Sequence, residues 1–160
     1  MKPTCDLYDD FLDSVGVLPP GLQHFGGRGA FHGAAVTVKC FEDNTRIKEL
    51  ADTAGAGRVM VVDAGGSVRC AVLGDMIAGQ AAANGWAGVI IWGAVRDRAA
   101  MAVLDLGVMA LAVTPRKSVR RGEGSVDLAV RIEGVAVQSG DYIVADEDGA
   151  LVFPKDGPQP

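Results

Sequence analysis

Between residues 58 and 113 the chain alternates short, nearly continuous apolar runs with segments whose apolar positions recur at helical spacing. Arg58 to Val62, Gly88 to Trp92 and Val108 to Val113 read as buried strands. Gly74-Asp75 opens a helix that ends near Asn84-Gly85, and Asp97 opens another to about Leu104. Strands alternating with helices argue for parallel pairing through right-handed crossovers. Upstream, Thr4 to Val15 reads as a short acidic helix closed by Pro19-Pro20. Phe25 to Gly29 is a glycine turn and Ala34 to Phe41 a strand. Asp43 or Asn44 can cap a helix to about Ala54, which Gly55 to Gly57 stop. After Pro115 the rhythm changes to short strands without helices: Val126 to Ile132, Val135 to Val137, Tyr142 to Ala145 and Ala150 to Phe153. Glu133-Gly134 and Asp146 to Gly149 supply hairpin-like turns. The pattern predicts one α/β domain over residues 1–160, with layered sheets.

Composition narrows the partners. Hydrophobic residues are 49% and charged residues 22%, which is globular and low enough in charge to suggest a buried subunit interface. The net charge of −5 gives no basic footprint for direct nucleic-acid binding. No apolar run approaches the ~18 residues of a membrane span, and Met1 to Asp6 lack the apolar core of a signal peptide. Cys5, Cys40 and Cys70 are odd in number, widely spaced and without a C-x-x-C pair, so we expect reduced thiols and a cytoplasmic protein.

Three residues carry the candidate chemistry: Asp75, then Arg96 and Asp97 after twenty intervening positions. All three fall at strand-to-helix turns, where ligands of open α/β sheets gather. Each aspartate has a plain alternative as a helix N-cap. Otherwise a carboxylate there can hold a divalent cation, beside a guanidinium that grips a carboxylate or enolate oxygen. Amides at Met76 and Ile77, in the first turn after Gly74, could bind an anion. His24 and His32 are the only histidines and the cysteines lack zinc spacing, so an oxygen-only site for Mg²⁺ or Mn²⁺ is expected rather than zinc. Asp63 to Ser67 carries no phosphate-loop signature and reads as a tight structural loop. The basic run Arg116 to Arg121 is a solvated loop, or else a grip for a distal carboxylate or a partner's acidic surface. Lys39 is the one plausible Schiff-base lysine, with a core-edge lysine the plainer reading.

The spacing of Asp75, Arg96 and Asp97 resembles the signature of class II pyruvate aldolases that cleave 4-hydroxy-4-methyl-2-oxoglutarate. Phe25-Gly26-Gly27-Arg28, Thr37 to Asn44, Asp63 to Val68 and Gly93 to Arg96 resemble the related regulators of RNase E activity, of the RraA-like superfamily. The likeness runs from about Cys5 to Phe153. It implies a fold related to the swivelling phosphohistidine domain, a layered β/β/α arrangement of mixed sheets flanked by helices. It also implies a homotrimer or dimer of trimers, with active sites between subunits. In that frame Asp97 binds the metal, Arg96 stabilises the pyruvyl enolate, and the Gly74, Asp75, Met76 and Ile77 turn holds a substrate carboxylate. Asp75 positions or activates a water on the metal. The implied function is metal-dependent aldol cleavage of a small 2-oxo acid, with oxaloacetate decarboxylation alongside it. The alternative is inhibition of an RNase E-type protein through direct contact. Members known chiefly as regulators tend to lack the acidic positions kept here, which favours catalysis.

Overall fold

The computed structural model describes all 160 residues. In chain order the elements are α1 (Thr4–Phe11) and a 3₁₀ turn (Leu12–Ser14), then β1 (Gly16–Val17), β2 (Gln23–His24), β3 (Phe31–Lys39), α2 (Thr45–Ala51), β4 (Val59–Asp63) and β5 (Ala71–Leu73). They continue with α3 (Asp75–Ala83), β6 (Gly88–Val95), α4 (Arg98–Met101), β7 (Gly107–Val113), β8 (Ser125–Val126), β9 (Val130–Ile132), β10 (Val135–Val137), β11 (Tyr142–Asp146) and β12 (Gly149–Phe153). None of the helices is long and apolar enough to cross a membrane.

Strands β3, β4, β6 and β7 pair in parallel, as the alternating pattern predicts. Their side chains divide by a period of two. Met60, Val62, Val89, Ile91 and Val108 enter a core beneath the helices, with Ile47, Ala78, Ala81 and Met101. Val59, Val61, Ile90 and Met109 face the opposite way, against Val130, Ile132 and Val137 of the β9–β10 hairpin and Ile143 and Val152 of β11–β12. The result is the expected β/β/α layering.

β3 joins the two sheet regions. Residues 31 to 34 pair antiparallel with β11, and residues 35 to 39 pair parallel with β4. Gly33 lies at this change, at φ +155°, where a Cβ would meet the Gly57 carbonyl oxygen at 2.1 Å. Only glycine permits that approach, and the sheet curls there.

Several boundaries differ from the sequence reading. β6 does not stop at Trp92 but runs through Gly93 to Val95. Gly93 is buried where a Cβ would press on Ala64 at 2.8 Å, and the register against β7 shifts between Ile91 and Ala94. The glycine marks a bulge rather than a strand end. The stretch Val126 to Ile132 divides into β8 and β9 at Asp127, which adopts φ +65°. The helix at Asp97 is one turn long. β5, absent from the sequence reading, continues along β6 beyond the end of β4, pairing Ala71 with Ala94 and Leu73 with Val95.

Candidate active site

β5 and β6 are parallel neighbours, so the turns that follow them open side by side. The Arg96 amide donates to the Leu73 carbonyl at 2.9 Å, tying the two strand ends together. Gly74 then enters α3 and Asp97 enters α4. A Cβ on Gly74 would lie 2.7 Å from Asp97 Oδ2 and 3.2 Å from Arg96 Nε, so this turn requires glycine for packing rather than for its backbone angles. Asp97 sits in the left-handed region at φ 59°, ψ 41°. Aspartate tolerates this conformation better than most residues, and such outliers cluster at functional sites.

The three predicted residues are brought together, in a cleft that Gly74, Met76 and Ile77 also line. Arg96 Nε lies 3.2 Å from Asp97 Oδ2, with both side chains about one-third exposed. The same Oδ2 accepts the Asp75 amide at 3.3 Å. Neither aspartate side chain caps its helix, which overturns the plain reading. Asp75 is already the first residue of α3, with Gly74 in the capping position. Asp97 has instead turned left-handed, where its side chain meets Arg96 and the Asp75 amide. The Asp75 carboxylate, Asp97 Oδ1 and the terminal nitrogens of Arg96 make no hydrogen bond within the chain. The Met76 and Ile77 amides likewise lack an acceptor, the first turn being closed by Ala78 N–H to the Gly74 carbonyl. Ile77 offers only this amide, since its side chain is in the core, whereas the Met76 side chain is 83% exposed.

The donor set suits a hard cation. Nowhere in the chain do three or more His, Cys, Asp or Glu side chains converge. One or two carboxylates with water completing the shell is the coordination Mg²⁺ accepts. Asp97 Oδ1 and the Asp75 carboxylate are the oxygens free to serve.

The sequence leaves the basic run Arg116 to Arg121 open between a solvated loop and a grip for a distal carboxylate or a partner's acidic surface. The structure lays residues 116 to 121 along the free edge of β5 as a strap. Ala71 N–H donates to the Arg116 carbonyl at 2.7 Å, and Ser118 N–H donates to the Ala71 carbonyl at 3.0 Å. The strap's far end is held by the turn before α2. Asp43, 1% exposed, accepts from the Thr45 amide and hydroxyl and from the Arg121 amide at 2.6 Å. Burial pushes the Asp43 carboxyl up, but these bonds and the Glu123 amide outweigh it and hold the group below the usual range. Asn44 Oδ1 accepts from Arg120 Nε at 3.1 Å. Thus Asp43 and Asn44, weighed only as helix caps, clamp the strap beside the site. The Asp-x-Thr pattern is a recognisable turn signal, but its partner 78 residues away is not.

Lys39 takes the plainer role of a core-edge lysine. Its Nζ donates to the buried Asp63 carboxylate at 2.7 Å, and it does not line the cleft that holds Asp75, Arg96 and Asp97. Asp63 also accepts the Gly65 amide, and Gly65 and Gly66 take φ near +70°, so this loop is the tight turn expected. All three cysteines are free. Cys40 and Cys70 are buried and Cys5 is exposed.

Residues 4–152 match the model of the RraA-like family described as Aldolase/RraA. A protein of Alkalilimnicola ehrlichii, named "Putative 4-hydroxy-4-methyl-2-oxoglutarate aldolase", is 53% identical over 150 residues, covering 94% of this chain and 93% of its own. The solved structure of the RNA-processing inhibitor RraA from Thermus thermophilis superposes with a TM-score of 0.94 at 42% identity, over 99% of this chain and 96% of that one. A Geobacillus kaustophilus structure named S-adenosylmethionine:2-dimethylmenaquinone methyltransferase gives 0.93 at 42% identity, over 97% and 96%. One fold therefore carries three differently named activities, and the choice among them rests on the site.

Proposed function

The chain belongs to the RraA-like Aldolase/RraA family, and from that premise we propose that it is a divalent-metal-dependent lyase cleaving 4-hydroxy-4-methyl-2-oxoglutarate to two pyruvates. The observation that carries this reading is the Arg96–Asp97 pair beside Asp75, with free carboxylate oxygens, free guanidinium nitrogens and free helix amides converging on one cleft.

Asp97 would hold the cation, Mg²⁺ or Mn²⁺, which when bound supplies Lewis-acid polarisation of a 2-oxo carbonyl. The Met76 and Ile77 amides are the donors for the substrate's C1 carboxylate. Arg96 offers its terminal nitrogens to the C2 oxygen, where negative charge develops. Asp75 serves as base, directly or through one water, and takes the proton of the C4 hydroxyl. The C4–O electron pair forms a carbonyl as the C3–C4 bond breaks. Its electrons move onto the C2–C3 unit as pyruvate enolate, and protonation at C3 gives the second pyruvate. Oxaloacetate would reach the same enolate by losing CO₂, with no hydroxyl to deprotonate. We place the active site between subunits of a homotrimer.

The test is pyruvate release from 4-hydroxy-4-methyl-2-oxoglutarate, with Mg²⁺ or Mn²⁺ and with chelator, for the wild type, Arg96→Ala and Asp97→Ala. Oxaloacetate runs alongside with a no-enzyme control. Metal-dependent turnover lost in both variants supports the reading, and absence of turnover in the wild type rejects it. A second reading, contact inhibition of an RNase E-type enzyme, is favoured by the likeness to the Thermus RNA-processing inhibitor. Pull-down with RNase E and an RNA-decay assay decide it.

A further inference from the structure

Beside the strap lies a second and larger cavity that the proposed chemistry leaves unused. Its volume is about 570 Å³, against about 90 Å³ for the cleft at Asp97, and it falls in the range of small-molecule sites. Arg69, Arg116, Lys117 and Arg121 line it, with only Glu42 and Glu123 as carboxylates. Glu42 is already matched, since its Oε1 accepts from Arg69 Nε at 2.6 Å and from Ser67 Oγ at 2.7 Å. The side chains of Arg116, Lys117 and Arg121 form none of the seven ion pairs of the chain and make no hydrogen bond within it. Ser118, whose buried Oγ also lacks a partner, lines the same cavity. A protein of net charge −5 thus keeps a local excess of uncommitted cations in one concavity.

The cavity also has an aromatic ledge. Phe41 is 55% exposed and Val119 45% exposed, so both offer apolar surface to an occupant. The Phe41 ring is seated against Gly65, where a Cβ would lie 2.8 Å from its Cδ2. The Arg69 guanidinium carbon stands 5.9 Å from the ring centroid, and Glu42 holds that guanidinium from the side. A fixed ring beside a fixed guanidinium is a surface on which a nucleobase stacks. The cations are fixed as well, because main-chain bonds tie residues 116 and 118 to Ala71 and residue 121 to Asp43.

We propose that this cavity binds a free nucleotide, with Arg116, Lys117 and Arg121 on its phosphates and its base against Phe41 and Arg69. A small acid would satisfy the cations but leave Phe41 and Val119 in water and most of the volume empty. Guanidinium groups match phosphate oxygens in two-pronged fashion. A long single strand of nucleic acid would have to lie along an acidic molecule, whereas one nucleotide meets only this basic concavity. The site is assayed by binding alone, so it stands or falls independently of the lyase reading.

The experiment is calorimetric titration of the full chain with ATP, adenosine, tripolyphosphate and a single-stranded RNA decamer. Metal-free buffer keeps any cation from bridging phosphates to Asp97. ATP should bind at one site per chain, with adenosine and tripolyphosphate each at least about tenfold weaker. Arg116→Ala and Arg121→Ala should each weaken ATP about tenfold, the order expected for a lost charge-assisted hydrogen bond. Phe41→Ala should weaken it about fivefold or more through lost stacking. The strap survives these changes, since the amide of Arg121 and not its side chain bonds Asp43, and an unchanged Tm in Arg121→Ala checks this. Arg96→Ala and Asp97→Ala should leave ATP binding as it is; a loss there places ATP in the cleft and overturns the site. Equal binding of tripolyphosphate and ATP, with no effect of Phe41→Ala, reduces the cavity to a general anion patch and overturns it too. So does absence of ATP binding at millimolar concentration, whether or not the RNA decamer binds.

Discussion

Replacing Gly74 by alanine probes whether the close packing of the site matters to its chemistry. The backbone at Gly74 is extended, φ −134° and ψ −176°, a conformation alanine adopts freely. The new methyl group, however, would lie 2.7 Å from Asp97 Oδ2, about 0.7 Å short of the 3.4 Å at which ordinary contact begins. The carboxylate is a movable end, so it yields rather than the strand. Its retreat breaks the 3.3 Å bond from the Asp75 amide and pushes on Arg96, whose Nε and Cγ are both 3.2 Å from the same methyl. Misplacement of a reacting group by ~1 Å can cost about 10²-fold in rate, so a shift of this size should lower kcat/KM by about 10- to 100-fold. The fold should survive. Alanine is a poorer N-cap than glycine by at most ~1 kcal/mol, a Tm loss of about 2–4 °C in a chain this long. Gly79, in the middle of α3, is the control: its Cβ would enter open space, so Gly79→Ala should raise Tm by about 2–4 °C without altering turnover. Pyruvate release and thermal unfolding, measured on both variants, give the comparison. Retention of more than half of wild-type kcat/KM in Gly74→Ala would refute the claim that this contact sets the geometry of the pair.

Three further outcomes follow from other parts of the structure. Asp75→Asn should depress aldol cleavage far more than oxaloacetate decarboxylation, since only cleavage needs a base for the C4 hydroxyl; equal losses would remove Asp75 from that role. The native protein should expose one thiol, Cys5, to a disulfide reagent at pH 8 and three after denaturation, because burial pushes Cys40 up to about 12 and raises Cys70 as well. Cys5 itself should react slowly, its pKa raised by the neighbouring Asp148 carboxylate, and rapid labelling of all three thiols in the native state would count against the packing described. The Asp43 carboxyl is held below its ordinary value, so it stabilises the fold at pH values above the unfolded pKa of about 3.9, and that contribution fades as pH falls through the folded value. The Tm gap between wild type and Asp43→Asn should therefore be constant above about pH 5 and narrow below pH 4. A gap that persists unchanged at pH 3 would show that the charge is not what holds the strap.

The apolar runs are enough to place β4, β6 and β7, because each buries a nearly continuous apolar sequence, while Gly74-Asp75 marks the start of α3. They do not show β5, whose three residues are too few to display a period. They also end β6 early, since Gly93 reads as a terminator until its packing against Ala64 is visible. Within the site, residue identity was legible and local role was not. Asp75 and Asp97 carry the sequence marks of helix caps, and only the left-handed backbone at Asp97 reveals that its side chain is spent on Arg96 and Asp75 instead. Lys39 showed no sign of Asp63, because adjacent parallel strands bring together residues 24 apart. The strap was hidden for the same reason: its anchors, Asp43, Asn44 and Ala71, lie far upstream.

The fastening of that strap separates what can vary from what cannot. It is held through main-chain bonds to Ala71 and through the Asp43 turn, and of the side chains of Lys117 and Arg120 only the latter adds a bond, from Nε to Asn44. Substitutions at those two positions can thus accumulate without disturbing Gly74, Arg96 or Asp97. A lineage carrying this scaffold could therefore re-edge the cleft by drift at a few exposed positions while the geometry of Gly74, Arg96 and Asp97 stays in place.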